Sequence, residues 1–195
     1  MVRKTKCLNM SKRICVPEND SEKRFVLAQK GKKNILVIGL NPSTADELKH
    51  DGTTSNIEKI AKVNGFDGWV LYNLSPQRSP YPHQLLTNSY DALLKQNIDT
   101  LDNWLKEEAN TIKNVWFAWG NNIALKQFPY LKDSAREIVT FINKYNLKTW
   151  CIKLTDKGHP FHPSQQSVNR YIGPAENIKL QPFNVNAYVA IHLQQ

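Results

Sequence analysis

The sequence has no apolar run approaching the roughly 20 residues that a membrane-spanning helix needs. Its N-terminus is basic and lacks the apolar core of a secretory signal. Cysteine is scarce: Cys7, Cys15 and Cys151 cannot all pair and show no CxxC spacing, so neither a disulfide framework nor a zinc or iron–sulfur site is supported. We therefore expect a cytoplasmic protein with reduced thiols, no membrane partner, no metal and no cofactor.

Acidic residues are also few, with 17 Asp and Glu against 26 Lys and Arg, and the excess charge is unevenly placed. Residues 1–33 carry a net charge of +7, whereas residues 34–195 carry only +2. Such a basic arm is typical of a segment that neutralises phosphates, although it is also typical of a solubilising terminus. The candidate phosphate-binding residues are Lys4, Lys6, Lys12 and Arg13.

A chain of 195 residues with 41% hydrophobic content is expected to form one domain, and we expect a monomer. Residues 1–23 have weak periodicity and contain Pro17, Asn19 and Asp20, which predicts an irregular basic arm. Residues 24–195 are then predicted to be a single α/β domain.

Strand-like and helix-like segments alternate through this domain. The predicted strands are Arg24–Gln29, Ile35–Ile38, Gly68–Leu74, Val115–Trp119 and Lys148–Leu154, of which the last four form the core. The predicted helices are Ser55–Val63, Leu85–Glu108 (as one helix or two) and Ser134–Lys144, with a short helix or strand at Ala187–Leu193. The order favours a three-layer α/β/α fold around a central, mostly parallel, four-stranded sheet.

The rest of the chain is organised around the stretch KNILVIGLNPSTAD, residues 33–46. Its continuous apolar run is typical of a parallel strand that is covered on both faces. Gly39 then allows a turn or a close approach to a ligand, and Ser43 or Thr44 can begin a helix. This places Asn41 at the carboxyl end of a central strand, where open α/β sheets bind ligands, although an ordinary strand exit has the same residue types.

Each of the four core strands ends in polar residues, and parallel strands bring such ends to one edge of the sheet. The topology therefore predicts one cleft lined by Asn41, Asn73, residues 120–122 and residues 159–164.

Four short motifs in this order resemble those of the uracil-DNA glycosylase superfamily. They are Gly39-Leu40-Asn41-Pro42, the Asn73 that ends GWVLYN, Phe117-Ala118-Trp119-Gly120, and His162-Pro163-Ser164. The likeness spans residues 33–167 and is nearest to a bacterial and phage branch that carries LNPSTAD and GHPxHP. Asn41 stands where the best-known uracil enzymes have Asp, as in the mismatch-specific branch.

The resemblance implies an enzyme that flips an altered pyrimidine out of DNA, single- or double-stranded, and hydrolyses its N-glycosidic bond. It implies that Asn41 and His162 are catalytic. The base-binding residues it implies are Asn73, Gly39 and Ser43, with Phe66 and Tyr72 as candidates for the stacking aromatic. It implies DNA contacts at Ser164, Gln165 and Gln166, where relatives usually offer an apolar wedge.

The chemistry of the reaction asks for the same groups. As the bond breaks, negative charge grows on the departing base, and a hydrogen bond from His162 to the pyrimidine O2 would stabilise it. Asn41 cannot act as a strong base but can orient a water, and Asn73 can pair with both N3–H and O4 of a uracil-like edge. Ser43 is small, so the C5 side of the pocket should admit 5-substituted pyrimidines.

Other readings of these residues remain open. A strand-terminal Asn is often a turn former, and a His before Pro, such as His159, is often a loop residue. A second function also fits the sequence: a module that binds nucleic acid or a free base without cleaving it.

Overall fold

The computed structural model describes residues 13–46, 48, 51–87 and 91–194. Within these residues the chain forms one mixed sheet of seven strands together with five α-helices. The strands are β1 (Ile14–Val16), β2 (Val26–Gln29), β3 (Asn34–Gly39), β4 (Gly68–Asn73), β5 (Ile112–Phe117), β6 (Lys148–Cys151) and β7 (Gln181–Pro182). The helices are α1 (Gly52–Val63), α2 (Asp91–Glu107), α3 (Tyr130–Lys144), α4 (Gln165–Tyr171) and α5 (Val185–His192).

The sheet order is β1-β2-β4-β3-β5-β6-β7. The α/β class is thus confirmed, but the predicted four-stranded, mostly parallel sheet is not. The four predicted core strands do lie side by side and pair in parallel, as β4-β3-β5-β6. Three further pairings, at β1-β2, β2-β4 and β6-β7, are antiparallel and extend the sheet at both edges.

Helices cover both faces of the sheet. The step from β3 to β4 runs through α1, whose Ile60 packs with Val37 on one face. The steps from β4 to β5 and on to β6 run in the opposite direction through α2 and α3, whose Leu101 and Ile138 share the other face with Ile38. A right-handed crossover requires this change of face when the direction of travel along the sheet reverses. Neighbouring residues of β3 therefore point into two cores, which explains its unbroken apolar sequence.

Two element boundaries near the predicted cleft differ from expectation. Helix α1 does not begin at Ser43 or Thr44 but at Gly52, with Asp51 as its N-cap. The Pro-rich segment GHPFHPSQQS was expected to be loop, but its last residues, 165–167, begin α4, because the Ser164 side chain accepts the Ser167 N–H and so caps a short helix.

The C-terminal and mid-chain helices settle two choices that the sequence left open. Helix α2 is a single helix over 91–107, while residues 85–87 precede it outside any helix and 88–90 lie outside the described residues. The segment near residue 190 is the helix α5 rather than a strand. None of the helices in the described ranges is long and apolar enough to span a membrane.

The end of the basic arm belongs to the sheet. Residues 14–16, which were expected to be irregular, form β1, and the buried Cys15 pairs with Leu27 of β2. The Arg13 guanidinium donates to the Asp46 carbonyl at 3.2 Å, so it is held against the loop after β3. The predicted contacts at Lys4, Lys6 and Lys12 fall outside the described residues.

Candidate active site

A cavity of about 720 Å³ opens at the carboxyl edge of the parallel strands. Each of the four strands contributes polar groups to its wall, as the topology predicts. These are Asn41 after β3, Asn73 at the end of β4, Asn121 and Asn122 after β5, and His162 and Ser164 after β6. Among the described residues no group of three or more His, Cys, Asp or Glu is arranged to hold a metal ion.

The side chain of Asn41 is fixed by its own amide nitrogen. That nitrogen donates to the carbonyl of Pro42 at 3.0 Å and to the carbonyl of Ser79 at 2.8 Å. Both amide hydrogens are thereby used, and no described residue donates to the remaining oxygen. Asn41 lines the cavity, so it presents a hydrogen-bond acceptor held in a fixed orientation.

Asn73 is the most unusual polar group in the cavity wall. It is only 2% exposed, and its Nδ2 is buried without a hydrogen-bond partner among the described residues. The backbone is held from the other face, where Asn97 of α2 donates to the Asn73 carbonyl at 3.0 Å. A buried donor left unpaired costs about 1–3 kcal/mol, which a ligand with an acceptor would recover.

Gly39, which pairs with Asn73 in the parallel register, makes room for this amide. A Cβ at Gly39 would stand 2.5 Å from the Asn73 Oδ1, well inside van der Waals contact. The glycine therefore positions a neighbouring side chain, in addition to lining the cavity.

His162 is held in one tautomer. Its Nδ1 accepts the backbone N–H of Ser164 at 3.2 Å, so the proton of the neutral ring lies on Nε2. Burial lowers the pKa of His162 to about 4, although the negative charge of Asp51 opposes the shift. At neutral pH the ring is therefore an uncharged donor on the cavity wall.

Gly120 brings the end of β5 against His162. Its φ of +72° lies in the left-handed region, and a Cβ here would stand 3.0 Å from the Cβ of His162. Its N–H donates to the Pro160 carbonyl at 2.8 Å, which ties the two loops together. This explains why glycine follows Trp119 in the third motif.

His159 supports the loop from behind and does not line the cavity. The indole N–H of Trp119 donates to the Tyr188 hydroxyl at 3.2 Å, which directs that hydroxyl toward His159 Nδ1 at 2.8 Å. Burial lowers the pKa of His159 to about 4. His159 is therefore part of the turn, and it anchors the loop of the last motif to α5.

Two arginines hold the loop after Asn41 in place. The Ala45 carbonyl accepts from Arg24 at 2.5 Å and from Arg78 at 2.9 Å, and Arg78 also donates to the Ser43 carbonyl at 3.3 Å. Burial and the neighbouring Arg78 lower the pKa of Arg24 to about 10, which leaves it charged at neutral pH. Because Arg24 lines the cavity, it adds positive charge to the wall that holds Asn41.

Several lining residues were missed by the sequence reasoning. Asp51 places a carboxylate in the cavity, and Lys153 and Lys157 stand exposed at its rim. Phe161, 8% exposed, and Tyr171, 58% exposed, supply aromatic rings whose centroids are 6.4 Å apart. Phe161 lies inside the GHPFHP motif, immediately before His162. This position in the sequence could have identified it as a residue of the cavity wall.

Two of the predicted base-binding residues lie elsewhere. Phe66 precedes β4, at the opposite edge of the sheet, where Lys33 Nζ lies 5.0 Å above its ring. Tyr72 points into the core shared with α2 and α3, where burial raises its pKa well above the usual range. Neither ring lines the cavity, so neither can stack on a base bound there.

The three predicted DNA contacts near the last motif have different surroundings. Ser164 and Gln166 line the cavity, but the Ser164 hydroxyl is engaged in capping α4. Gln165 is the exposed first residue of α4 and lies against Gly52 rather than in the cavity wall.

Substituting Gly39→Ala is expected to displace the Asn73 amide and to lower stability by about 1–3 kcal/mol. Denaturant unfolding measures this loss of stability. In an Asn73→Ala background, where the clashing oxygen is gone, Gly39→Ala should cost much less stability. Equal costs in the two backgrounds would contradict this geometry.

Nitrogen NMR of the labelled protein should find His162 as the neutral Nε2–H tautomer at pH 7, titrating with a pKa below 5, in line with its lowered pKa of about 4. Below that pKa the second proton would oppose the Ser164 N–H, so the bond to Nδ1 should be lost. Comparison with His162→Gln assigns the signals. A proton on Nδ1 at pH 7, or a pKa near 6.5, would rule out this description of the site.

Comparisons with known proteins return one match. The model of a family described as "Protein of unknown function (DUF1643)" matches residues 24–164. No curated protein and no solved structure matches the chain. The matched region runs from β2 to the N-cap of α4 and contains every polar cavity residue discussed above up to Ser164. It covers more than two thirds of the 195 residues, and the chain therefore belongs to the DUF1643 family.

Proposed function

We propose that the protein is a DNA glycosylase that removes uracil or a 5-substituted pyrimidine from DNA by hydrolysis of the N-glycosidic bond. The observation that carries the proposal is the unpaired, buried amide of Asn73, which shares one cavity with a neutral donor on His162 and a fixed acceptor on Asn41. No single group in this set is specific, but their combination matches the polar pattern of a pyrimidine.

Recognition of the base rests on Asn73. Its Nδ2 would donate to O4 of the base, and its Oδ1 would accept the N3–H. Cytosine carries the reverse pattern at these two positions, so the same amide orientation would disfavour it. Phe161, in place of Phe66 or Tyr72, would contact the face of the base, because its ring lines the cavity immediately before His162.

Cleavage of the bond rests on His162 and Asn41. The Nε2–H of His162 would donate to O2 of the base, where negative charge grows as the C1′–N1 bond breaks. The amide oxygen of Asn41 would accept one hydrogen of a water and orient it. Both side chains are held by backbone groups, so little reorganisation would accompany the reaction.

The fold is compatible with this chemistry. We propose that the parallel core β4-β3-β5-β6, with helices on both faces, corresponds to the three-layer glycosylase fold that the four motifs resemble. DNA would lie across the cavity mouth, with Lys153 and Lys157 near its phosphates. The protein would act as a cytoplasmic monomer without metal or cofactor.

A non-catalytic base-binding module is the second candidate. It is favoured by Asn41, which provides no carboxylate at the position that activates water in the fast uracil enzymes. The same cavity would then hold a flipped or free base without cleaving it.

The direct test is to incubate the protein, in EDTA, with single- and double-stranded oligonucleotides that carry uracil, 5-substituted uracils or ordinary bases. Hot alkali then cleaves the strand at any abasic site. Excision by the wild type, abolished in His162→Gln and Asn73→Ala, supports the glycosylase. Tight binding of a modified strand without cleavage supports the binding module. No preference for any modified strand in either assay would contradict both.

Ser43→Tyr is expected to impair 5-substituted pyrimidines selectively, because Ser43 lines the cavity and a large ring there would close the space beside C5. A methyl group in such a pocket is worth about 1–3 kcal/mol, so the preference should shift roughly 5- to 160-fold toward uracil. Thr44→Tyr is the matched control, since Thr44 is exposed and does not line the cavity. An unchanged preference in Ser43→Tyr would refute the open-wall hypothesis.

Residues 1–12 carry four Lys or Arg and no acidic residue, and they are expected to bind phosphates. Changing Lys4, Lys6 and Lys12 to Gln should therefore reduce the slope of log affinity against log salt by about 0.9 for each phosphate that is no longer neutralised. The control changes three lysines exposed elsewhere, Lys62, Lys113 and Lys126, to Gln. Equal slopes for the two triple variants would show that the arm makes no specific contribution.

A further inference from the structure

The N-terminal turn of α1 packs directly on the loop that carries His162. The Asn56 amide donates to the Pro163 carbonyl at 3.0 Å, and Gly52 lies so close to Gln165 that a Cβ there would be 2.8 Å from that side chain. Asp51, the residue before Gly52, is thereby placed beside His162 in the cavity wall. Helix α1 and the His-Pro-Ser loop thus form one side of the site together.

The two carboxylate oxygens of Asp51 have different roles. Oδ1 accepts the Thr54 N–H at 2.8 Å and the Thr54 hydroxyl at 3.0 Å, which closes the capping box of α1. Oδ2 accepts no hydrogen bond from any residue that the structure describes. The carboxylate is therefore fixed through Oδ1, and Asp51 lines the cavity.

A helix cap alone is no site, but Asp51 faces the same cavity as the buried, unpaired amide of Asn73. That amide points independently to a bound ligand. A ligand that fills the Asn73 position and reaches toward His162 brings its reacting bond to the part of the wall that holds Asp51.

We propose that Asp51 is a further catalytic residue, the general base of the hydrolysis, which supplies the carboxylate that Asn41 lacks. This inference rests on the proposed glycosylase function. Asn41 then orients the water and Asp51 accepts its proton.

The step balances with one water. The water oxygen forms a bond to C1′ while one of its protons passes to Oδ2 of Asp51. The C1′–N1 bond breaks, its electron pair leaves with the base, and the Nε2–H of His162 stabilises the charge at O2. The proton on Asp51 then passes to the departing base or to solvent, which restores the carboxylate and yields a neutral base and an abasic sugar.

The test compares single-turnover excision by the wild type, Asp51→Asn and Asp46→Asn on the oligonucleotide that the wild type cleaves best. Asparagine caps helices as well as aspartate does, so Asp51→Asn should keep α1 and the fold. We expect its rate to fall about 10²- to 10⁴-fold, with binding of an uncleavable 2′-fluoro substrate unchanged or tighter. Asp46→Asn removes the same charge from the same loop but lies outside the cavity lining, and it should stay within about threefold of the wild type.

A second variant separates chemistry from structure. Asp51→Ser keeps an N-cap and leaves space beside the substrate, so added formate should restore part of its rate while chloride at equal ionic strength does not. A rate for Asp51→Asn within threefold of the wild type overturns the inference and leaves the glycosylase standing. Equal losses in Asp46→Asn, or no rescue by formate, also overturn it. A wild type that releases no base from any strand overturns the proposed function, and the inference with it.

Discussion

The parallel pairing of β3 with β4 and with β5 fixes where these three strands end, and with them the positions of Asn41, Asn73 and the loop at Gly120. Gly39 stands opposite Asn73 in this register, and the Ala118 N–H donates to the Ile38 carbonyl at 2.8 Å where β5 leaves the sheet. The strands therefore end together, and the loops that follow them have one edge to share. A slip of one residue in β4 would turn the Asn73 amide into the opposite core.

The second constraint is that His162 and Asn73 are shielded from water at this edge. His162 and Asn73 are held by backbone contacts in surroundings that disfavour charge on the ring and leave the amide unpaired. A neutral imidazole donor is suited to a leaving group that gains negative charge, because the donor need not give up its proton to be effective. The packing of α1 against the His-Pro-Ser loop places the carboxylate of Asp51 near the His162 ring.

The strands and their polar ends were predictable because unbroken apolar runs followed by Asn, Gly or Pro have few alternatives. The edge strands were not, since β1 is three residues long and β7 two, too short for a periodic signal. Helix α4 was hidden by the prolines before Ser164, whose cap is what starts the helix.

The sequence predicted that the strand-end amides and His162 share one cleft, and they line one cavity, but it did not predict the aromatic and charged residues of the wall. Two elementary rules exclude the aromatic candidates: Tyr72 adjoins Asn73 and so must face the other side of the sheet, and Phe66 lies before β4 rather than after it. The sequence also held a signal for Asp51. An Asp followed three residues later by Thr54, just before a helical pattern, is typical of a helix N-cap. Because the helix after β3 begins at the cavity edge, this N-cap could have been expected near the site.

A crystal structure of the protein with an oligonucleotide that carries 2′-fluoro-2′-deoxyuridine, whose base cannot readily be released, would test the proposed base pocket most directly. We expect the base to lie in the cavity, with O4 and N3 about 2.7–3.2 Å from the Asn73 amide and with O2 facing His162 Nε2. DNA bound with the uracil still stacked in the strand, or with the Asn73 amide still unpaired, would contradict this expectation.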